Sequence, residues 1–128
     1  MAVHELKYRE LTEKIIGGAM KVHRHFGPGF PEIVYKRALT IELRNIGLNV
    51  MEEIAKDIIY ENKLIYKRRL DLIVEDCVLL ELKALKEIDS LYYNQILNYL
   101  RVFKMEVGLL LNFGGTSLQF KRFVNTVK

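Results

Sequence analysis

The sequence lacks the features of a secreted or membrane-bound protein. It has a single cysteine, Cys77, which excludes an internal disulfide and fits a reducing compartment. No apolar run approaches the length needed to span a bilayer, and the charged first ten residues contain no signal-peptide core. We therefore expect a cytoplasmic protein that has no membrane partner.

Internal repeats, linkers and low-complexity segments are also missing. A chain of 128 residues can bury one proper core but not two, so we expect residues 1–128 to form a single domain. The formal net charge of +4 is compatible with a polyanionic partner. No segment resembles a helix-turn-helix or a zinc finger, so we expect binding led by the phosphate backbone and sensitive to salt.

The chain is organised around the stretch Arg68–Lys83, which has the pattern of two strands joined by a tight polar turn at Glu75–Asp76. Because side chains alternate along a strand, Glu81 and Lys83 share one face, and Asp71 can lie beside them on the neighbouring strand. Two carboxylates and a lysine in so apolar a setting indicate a divalent-metal site. The alternative is a structural salt-bridge cluster, which we disfavour because such buried pairs add little net stability.

Hydrophobic periodicity predicts the other elements. Apolar residues at three- and four-residue spacing predict three amphipathic helices, over Leu11–Phe26, from Pro31 to Gly47, and from Asp89 or Ser90 to Phe103. The apolar stripe expected to be buried is Tyr35, Leu39, Leu43 and Ile46 in the second helix, and Tyr92, Ile96, Tyr99 and Phe103 in the third. Strands are predicted over Val50–Tyr60, Leu64–Val74, Val78–Ala84, Glu106–Phe113 and Leu118–Val124. The strand–helix–strand order before the last strand predicts a parallel crossover. We expect an α/β fold, with a mixed sheet of about five strands and helices on both faces.

Asp71, followed after a hairpin by Glu81-Leu82-Lys83, resembles the core of the PD-(D/E)XK nuclease superfamily, whose fold is restriction-endonuclease-like. Gly29 to Tyr35 resembles the signature of the GxxExxY family, a group of small proteins assigned to that superfamily. Other matching positions are Val22-His23, Gly27-Pro28-Gly29, Asn94-Gln95 with Tyr99-Leu100, and Gly108 to Phe113. The resemblance extends over nearly the whole chain, from about Leu11 to Val124.

The resemblance implies a metal centre and a reaction. Glu32, Asp71, Glu81 and the main-chain carbonyl of Leu82 would hold Mg²⁺ or Mn²⁺, which prefer oxygen ligands and lower the pKa of a bound water. Lys83 would orient or deprotonate that water, or neutralise charge on the phosphate; the neighbouring carboxylates favour this electrostatic role. For Glu32, stabilisation of a helix N-terminus is the alternative. The implied reaction is hydrolysis of phosphodiester bonds in DNA, with RNA as an open alternative.

Five further side chains are candidates for supporting roles. Gln95 is a candidate catalytic residue that positions the site, or else a polar residue at the edge of a helix stripe. His23 and Tyr35 are candidates for support behind the site or for nucleic-acid contact, although a lone histidine is more often structural. Arg68 and Arg69 either follow a phosphate backbone or form a solvated strand end.

Two other classes of function stay open. One is a non-cleaving nucleic-acid-binding or protein-interaction module, which the small size and modest basic excess support. Such a module should tolerate the loss of Glu81 and Lys83. The other is a subunit of a larger nuclease or repair assembly, active only with a partner protein or as a homodimer.

Overall fold

The computed structural model describes residues 3–125, and their side chains from residue 8 onward. The elements, in chain order, are α1 (Val3–Phe26), α2 (Glu32–Asn45), β1 (Val50–Tyr60), β2 (Lys63–Val74), β3 (Val78–Lys83), α3 (Leu91–Val102), β4 (Val107–Asn112) and β5 (Gln119–Val124). Their types and order agree with the sequence prediction. Within this part of the chain, each helix is too short or too polar to cross a bilayer.

The five strands form one sheet whose spatial order is the same as their order in the chain. β1, β2 and β3 are antiparallel neighbours, β3 and β4 run parallel, and β5 returns antiparallel to β4. The connection between the parallel strands contains α3, as a crossover requires. The predicted α/β architecture with a mixed sheet is confirmed.

The sheet separates two apolar cores. Helices α1 and α2 cover one face, and α3 covers the other. Leu80 and Leu82 of β3 belong to the core under α1 and α2, whereas Leu79 belongs to the core under α3. β3 therefore alternates as predicted, which assigns Glu81 and Lys83 to the α3 side.

The first two hairpins turn through two residues in the left-handed region. Glu61 and Asn62, with φ of 51° and 61°, connect β1 to β2. Glu75 and Asp76, with φ of 52° and 56°, connect β2 to β3. Two consecutive positive φ values are typical of the type I′ turn, whose twist matches that of antiparallel strands. The predicted turn at Glu75–Asp76 is confirmed.

β2 is much longer than its pairing with β3. The ladder between them covers only Leu72 to Val74, opposite Leu80 to Val78. Earlier in β2 the ladder partner is β1, from Ile54 opposite Leu70 to Tyr60 opposite Lys63. The hairpin over residues 54–70, which we call the arm, thus extends beyond the five-stranded part of the sheet.

Two helix positions differ from the expected apolar stripes. Ile46, predicted to be buried, is 51% exposed because α2 ends at Asn45 and the chain turns at Gly47, with φ of 90°. Leu100, which the predicted stripe omits, is fully buried. It packs against β4 at Gly108, where an added Cβ would lie 3.2 Å from the Leu100 side chain. The close approach of helix and strand explains its burial.

Candidate functional site

Asp71 fills the gap that opens where β2 and β3 separate. Its Oδ2 accepts a hydrogen bond of 2.9 Å from the main-chain N–H of Leu82. The N–H and C=O of one strand residue point to the same side, so the Leu82 carbonyl also points towards this gap. The carbonyl of Lys83 points the other way and accepts the N–H of Phe113 at 2.8 Å. A carboxylate and a main-chain carbonyl are therefore adjacent at the strand separation.

Glu81 is the most deeply buried carboxyl group of the site, with only 4% of the residue exposed. Its Oε2 lies 3.9 Å from Nη2 of Arg68, while its buried Oε1 has no hydrogen-bond partner among the described residues. Burial, then the charge of Asp71 and a hydrogen bond with it, raises the pKa of Glu81 to about 8, against the opposing effects of Arg68 and Lys83. The raised pKa of Glu81 favours the protonated form of this carboxyl group at neutral pH.

Helix α3 supplies aromatic rings to the two basic side chains of the site. The Lys83 Nζ lies 4.5 Å from the ring centroid of Tyr92, and the Arg68 guanidinium lies 5.0 Å from that of Tyr99. Cation–π contacts of this kind hold a charge in position without neutralising it. Gln95 is partly buried and lies three residues after Tyr92 and four before Tyr99, hence on the same helix face.

Glu32 is the first residue of α2 and is exposed. Partial burial and the charge of Asp71 raise the pKa of Glu32, while Lys83, Lys36 and Arg68 oppose the rise. These couplings indicate that Glu32 faces the same site. In residues 8–125, however, no three carboxylate, imidazole or thiol side chains are gathered closely enough to hold an ion. Asp71 and Glu81 form an inner pair, and Glu32 is an outer carboxylate.

Lys36 is a residue of the site that the sequence prediction missed. Its Nζ lies 3.6 Å from Oδ1 of Asp71 and 3.3 Å from Oε1 of Glu53, and its side chain is 13% exposed. Glu53 lies opposite Asp71 on β1, with a positive φ of 49° that interrupts the ladder. The signal in the sequence was the four-residue spacing of Glu32 and Lys36, which is typical of any helix ion pair.

Tyr35 secures the loop that precedes α2. Its hydroxyl donates to the carbonyl of Gly27 at 2.5 Å and accepts the N–H of Phe30 at 3.1 Å, and its ring stacks on Phe113 at 4.7 Å. Gly29 in the same loop has φ of 111°, a conformation that favours glycine. Tyr35 is fully buried, and its hydroxyl bonds are made to this loop.

His23 has a comparable role on α1. Its ring is buried, and its Nε2 donates to the carbonyl of Gly115 at 3.0 Å, in the loop after β4. The ring centroid lies 6.3 Å from that of Phe113, on which Tyr35 stacks. His23 and Tyr35 therefore act on the loops around the site, and their contacts are structural.

Asn112, at the end of β4, fixes the chain just after Lys83. Its Oδ1 accepts the N–H groups of Leu85, at 2.8 Å, and Gly114, at 3.2 Å. Its Nδ2 donates to the carbonyl of Leu85 and to Oε1 of Gln119, each at 2.9 Å. The backbone of Leu85 is also so close to Gly114 that a Cβ there would overlap it. Sequence reasoning did not identify Asn112 as a fastening for the end of β3.

The two adjacent arginines of β2 lie on opposite faces. Arg68 contacts Tyr99 and approaches Glu81 on the α3 side. Arg69 is exposed, and its Nη1 lies 3.4 Å from Oε2 of Glu53. The sequence prediction treated the two residues alike, but Arg68 approaches Glu81 whereas Arg69 pairs with Glu53.

Comparison with known proteins gives a family and a fold. A sequence model described as the PD-(D/E)XK nuclease superfamily matches residues 9–123. Among solved structures, the chain is similar to the crystal structure of SSO0001, with a TM-score of 0.57 and 16% sequence identity. The match covers 98% of this chain and 63% of that one, so this chain spans less than two thirds of that protein. No curated protein matches.

Proposed function

The chain belongs to the PD-(D/E)XK nuclease superfamily, and from this premise we propose that it is a divalent-metal-dependent nuclease that hydrolyses phosphodiester bonds in DNA. The observation that carries the proposal is the pairing of Glu81 with Asp71. A buried carboxylate oxygen without a partner is costly unless a cation or a proton compensates it. A divalent cation would compensate both carboxylates and displace the proton of Glu81.

The donor set fits Mg²⁺ or Mn²⁺. Asp71, Glu81 and the carbonyl of Leu82 would supply hard oxygen ligands, and Glu32 would act from the outer side through a water molecule. Mg²⁺ is usually held by one or two carboxylates and completes its shell with waters and substrate phosphates, so an open pair suits it. When bound, the metal would supply Lewis-acid stabilisation of the phosphate and a water of lowered pKa.

The remaining side chains would act on the substrate by charge and position. Lys83, held over Tyr92, would stabilise the negative charge that develops on the phosphate. Arg68, held over Tyr99, would contact a phosphate beside the carboxylates. Gln95 would orient the attacking water from the same face of α3.

We also propose that the chain falls within the GxxExxY group of this superfamily. Each residue of the motif has a distinct part in the structure: Gly29 allows the loop its positive φ, and Tyr35 secures that loop through two hydrogen bonds. Glu32 begins the helix with its carboxylate coupled to Asp71. The motif would therefore serve to bring an acidic side chain to the metal site.

The test is Mn²⁺ binding by calorimetry on wild type, Glu81→Ala and Glu87→Ala, with cleavage of single-stranded and duplex DNA, and of RNA, on the same samples. Glu87 is an exposed carboxylate in the loop after β3 and is the matched control. We expect Glu81→Ala to lose at least tenfold in Mn²⁺ affinity and to lose cleavage, while Glu87→Ala keeps both.

A folded wild-type protein that binds no Mn²⁺ would overturn the metal site. Metal binding that depends on Glu81 without cleavage of any of these substrates would contradict a self-sufficient nuclease. That result would favour a subunit of a larger assembly. Circular dichroism on each variant separates loss of binding from loss of fold.

A further inference from the structure

The arm has two faces of different chemistry. Ile54 and Leu70, at its base, pack into the core under α3. Directly opposite residues of two strands share a face, and residues two apart along a strand share a face. The register shifts by one residue of β2 between Tyr66 and Leu64, so Lys63 lies opposite Tyr60 and shares its face. Counting outward from the base by this register, Ile58 and five residues lie on the α3 side. The five, which we call the strip, are Lys56, Tyr60, Lys63, Tyr66 and Arg68.

The strip carries three cations and no carboxylate. The opposite face of the arm has its charges paired: Lys67 lies 3.0 Å from Asp57. Arg69, on that same face, pairs with Glu53 as described above. In residues 8–125, neither Lys56 nor Lys63 lies within 4 Å of a carboxylate oxygen. One face of the arm is therefore electrostatically complementary to a polyanion, and the other is internally neutralised.

The strip also carries two exposed aromatic rings. Tyr60 is 67% exposed and Tyr66 is 59% exposed. Rings that alternate with cations are the combination that single-stranded nucleic acids require, because unpaired bases stack on the rings while phosphates contact the charges. In a duplex the base faces are already stacked on each other, so the tyrosines would have nothing equivalent to bind.

The strip leads directly to the carboxylates. Its inner end is Arg68, whose Nη2 lies 3.9 Å from Oε2 of Glu81. Its outer end is Lys63, five residues earlier on β2, or about 17 Å at the usual strand rise. A strand bound along this length would present a phosphate at the inner end, beside Glu81 and Asp71.

We propose that the strip is a binding track for single-stranded DNA, with phosphates on Lys56, Lys63 and Arg68 and bases on Tyr60 and Tyr66. The track would serve the proposed nuclease by delivering its substrate, so this inference rests on that function. It specifies that the substrate is single-stranded and which surface holds it.

The arm contains its own control for the charges. The double variant Lys56→Ala/Lys63→Ala removes two positive charges from the strip, and Lys67→Ala/Arg69→Ala removes two from the opposite face. The measurement is fluorescence anisotropy of a labelled oligodeoxythymidylate, and of a duplex of equal length, in EDTA so that cleavage does not intervene. We expect wild type to bind the single strand more tightly than the duplex.

The strip variant should lose about tenfold or more in affinity for the single strand at low salt, and the control variant less than about threefold. Each lost phosphate contact lowers the slope of log K against log salt by about 0.7, so the strip variant's slope should fall by about 1.4. The control variant should keep the wild-type slope. A charge reversal at the hairpin end, Lys63→Glu, serves as the second variant if the double variant unfolds.

The tyrosines have a control too. Tyr60→Leu/Tyr66→Leu tests stacking, and Ile59→Ala/Leu64→Ala alters a cross-strand pair on the opposite face. Because the chain has no tryptophan, its ultraviolet emission comes from its tyrosines. We expect the oligonucleotide to quench the emission of wild type and of the control variant, and the Tyr60→Leu/Tyr66→Leu protein to lose both the quenching and about tenfold in affinity.

Equal losses in the strip and control charge variants would overturn the track, as would wild-type affinity in the strip variant. Duplex binding as tight as single-strand binding, unaffected in the tyrosine variant, would overturn the single-strand assignment. These measurements need no metal. The track can therefore fail while Glu81-dependent Mn²⁺ binding stands, and the metal site can fail while the track stands.

Discussion

The side chain of Asp71 takes the place of a main-chain ladder bond to Leu82. Beyond Leu72 the two strands no longer pair, and the carboxylate accepts the N–H of Leu82 across the opening. The same side chain lies beside the buried carboxyl of Glu81. Asp71 therefore has two roles: it links β2 to β3, and it interacts with the carboxyl group of Glu81.

The raised pKa of Glu81 predicts a pH-dependent stability. Folded Glu81 keeps its proton up to a pH of about 8, whereas the unfolded chain releases it near 4.5. The folded state binds more protons between these values, so the free energy of unfolding should fall as the pH rises, by at most about 1.4 kcal/mol per pH unit for this group. Urea unfolding of wild type and Glu81→Gln from pH 5 to 8 measures how the free energy of unfolding changes with pH.

Glu81→Gln should be less sensitive to pH than wild type, since the amide does not titrate. Glu32 also has a raised pKa and contributes in the same direction, so a smaller slope should remain in the variant. Equal slopes in the two proteins would contradict the pairing of Glu81 with Asp71.

Lys36→Met should weaken the metal-free protein and strengthen metal binding. The substitution keeps the apolar stem of a side chain that is 13% exposed, but leaves Asp71 and Glu53 without their shared cation. We expect a loss of about 2 kcal/mol in unfolding free energy, and a Mn²⁺ affinity higher by about tenfold because a competing charge is gone.

Lys67→Met is the matched control for Lys36→Met. Lys67 pairs with Asp57 at 3.0 Å, but its side chain is 62% exposed, so the loss should be below about 1 kcal/mol. Mn²⁺ affinity should not change. Equal destabilisation by the two substitutions would show that Lys36 is an ordinary surface cation.

Gly114→Ala and Gly17→Ala should have opposite effects on stability. A Cβ on Gly114 would overlap the backbone of Leu85, whereas a Cβ on Gly17, inside α1, would have no atom within 4 Å. We expect Gly114→Ala to lower the melting temperature by several degrees, and Gly17→Ala to stabilise the helix by about 0.5–1 kcal/mol. Thermal unfolding gives the melting temperature of both variants. An unchanged melting temperature in Gly114→Ala would contradict the close approach to Leu85.

Asn112→Ala should be strongly destabilising. The side chain is fully buried and makes hydrogen bonds to Leu85, Gly114 and Gln119, whose polar groups would lose their partner. At about 1 kcal/mol for each bond, we expect a loss of about 3–4 kcal/mol. Asn98→Ala removes an exposed amide that accepts one bond from Arg101, and should cost less than about 1 kcal/mol. Urea unfolding compares the two, and similar losses would contradict the fastening role of Asn112.

The local part of the site could be predicted from the sequence. Strand alternation was enough to put Glu81 and Lys83 on one face, because β3 is a regular strand. The turn at Glu75 and Asp76 was predicted from its polar residues, and it brings Asp71 back towards Glu81. These residues are close in sequence, so short-range rules determine their relation.

The non-local part could not be predicted. Lys36 reaches Asp71 because α2 packs over the opening between β2 and β3, and helix periodicity does not give that placement. In the sequence, Asn112 is simply the polar end of an apolar strand. Its hydrogen-bond partners are the main-chain groups of Leu85, 27 residues earlier, and the sequence does not indicate that the two residues meet. Alternation along β2 puts Arg68 and Arg69 on opposite faces, but it does not say which of them faces α3. That depends on the register of the arm against its neighbours.

The identity of chain order and sheet order has a consequence for how the protein reaches its native state. Each antiparallel pair joins strands that are consecutive in the chain, so these pairs can form by short loop closure. The β3–β4 pair must wait for the crossover that contains α3. Until then one edge of β3 stays open, and its apolar residues Val78 to Leu80 can pair with another chain. We expect the parallel pairing to limit the refolding rate, and yield to fall with protein concentration.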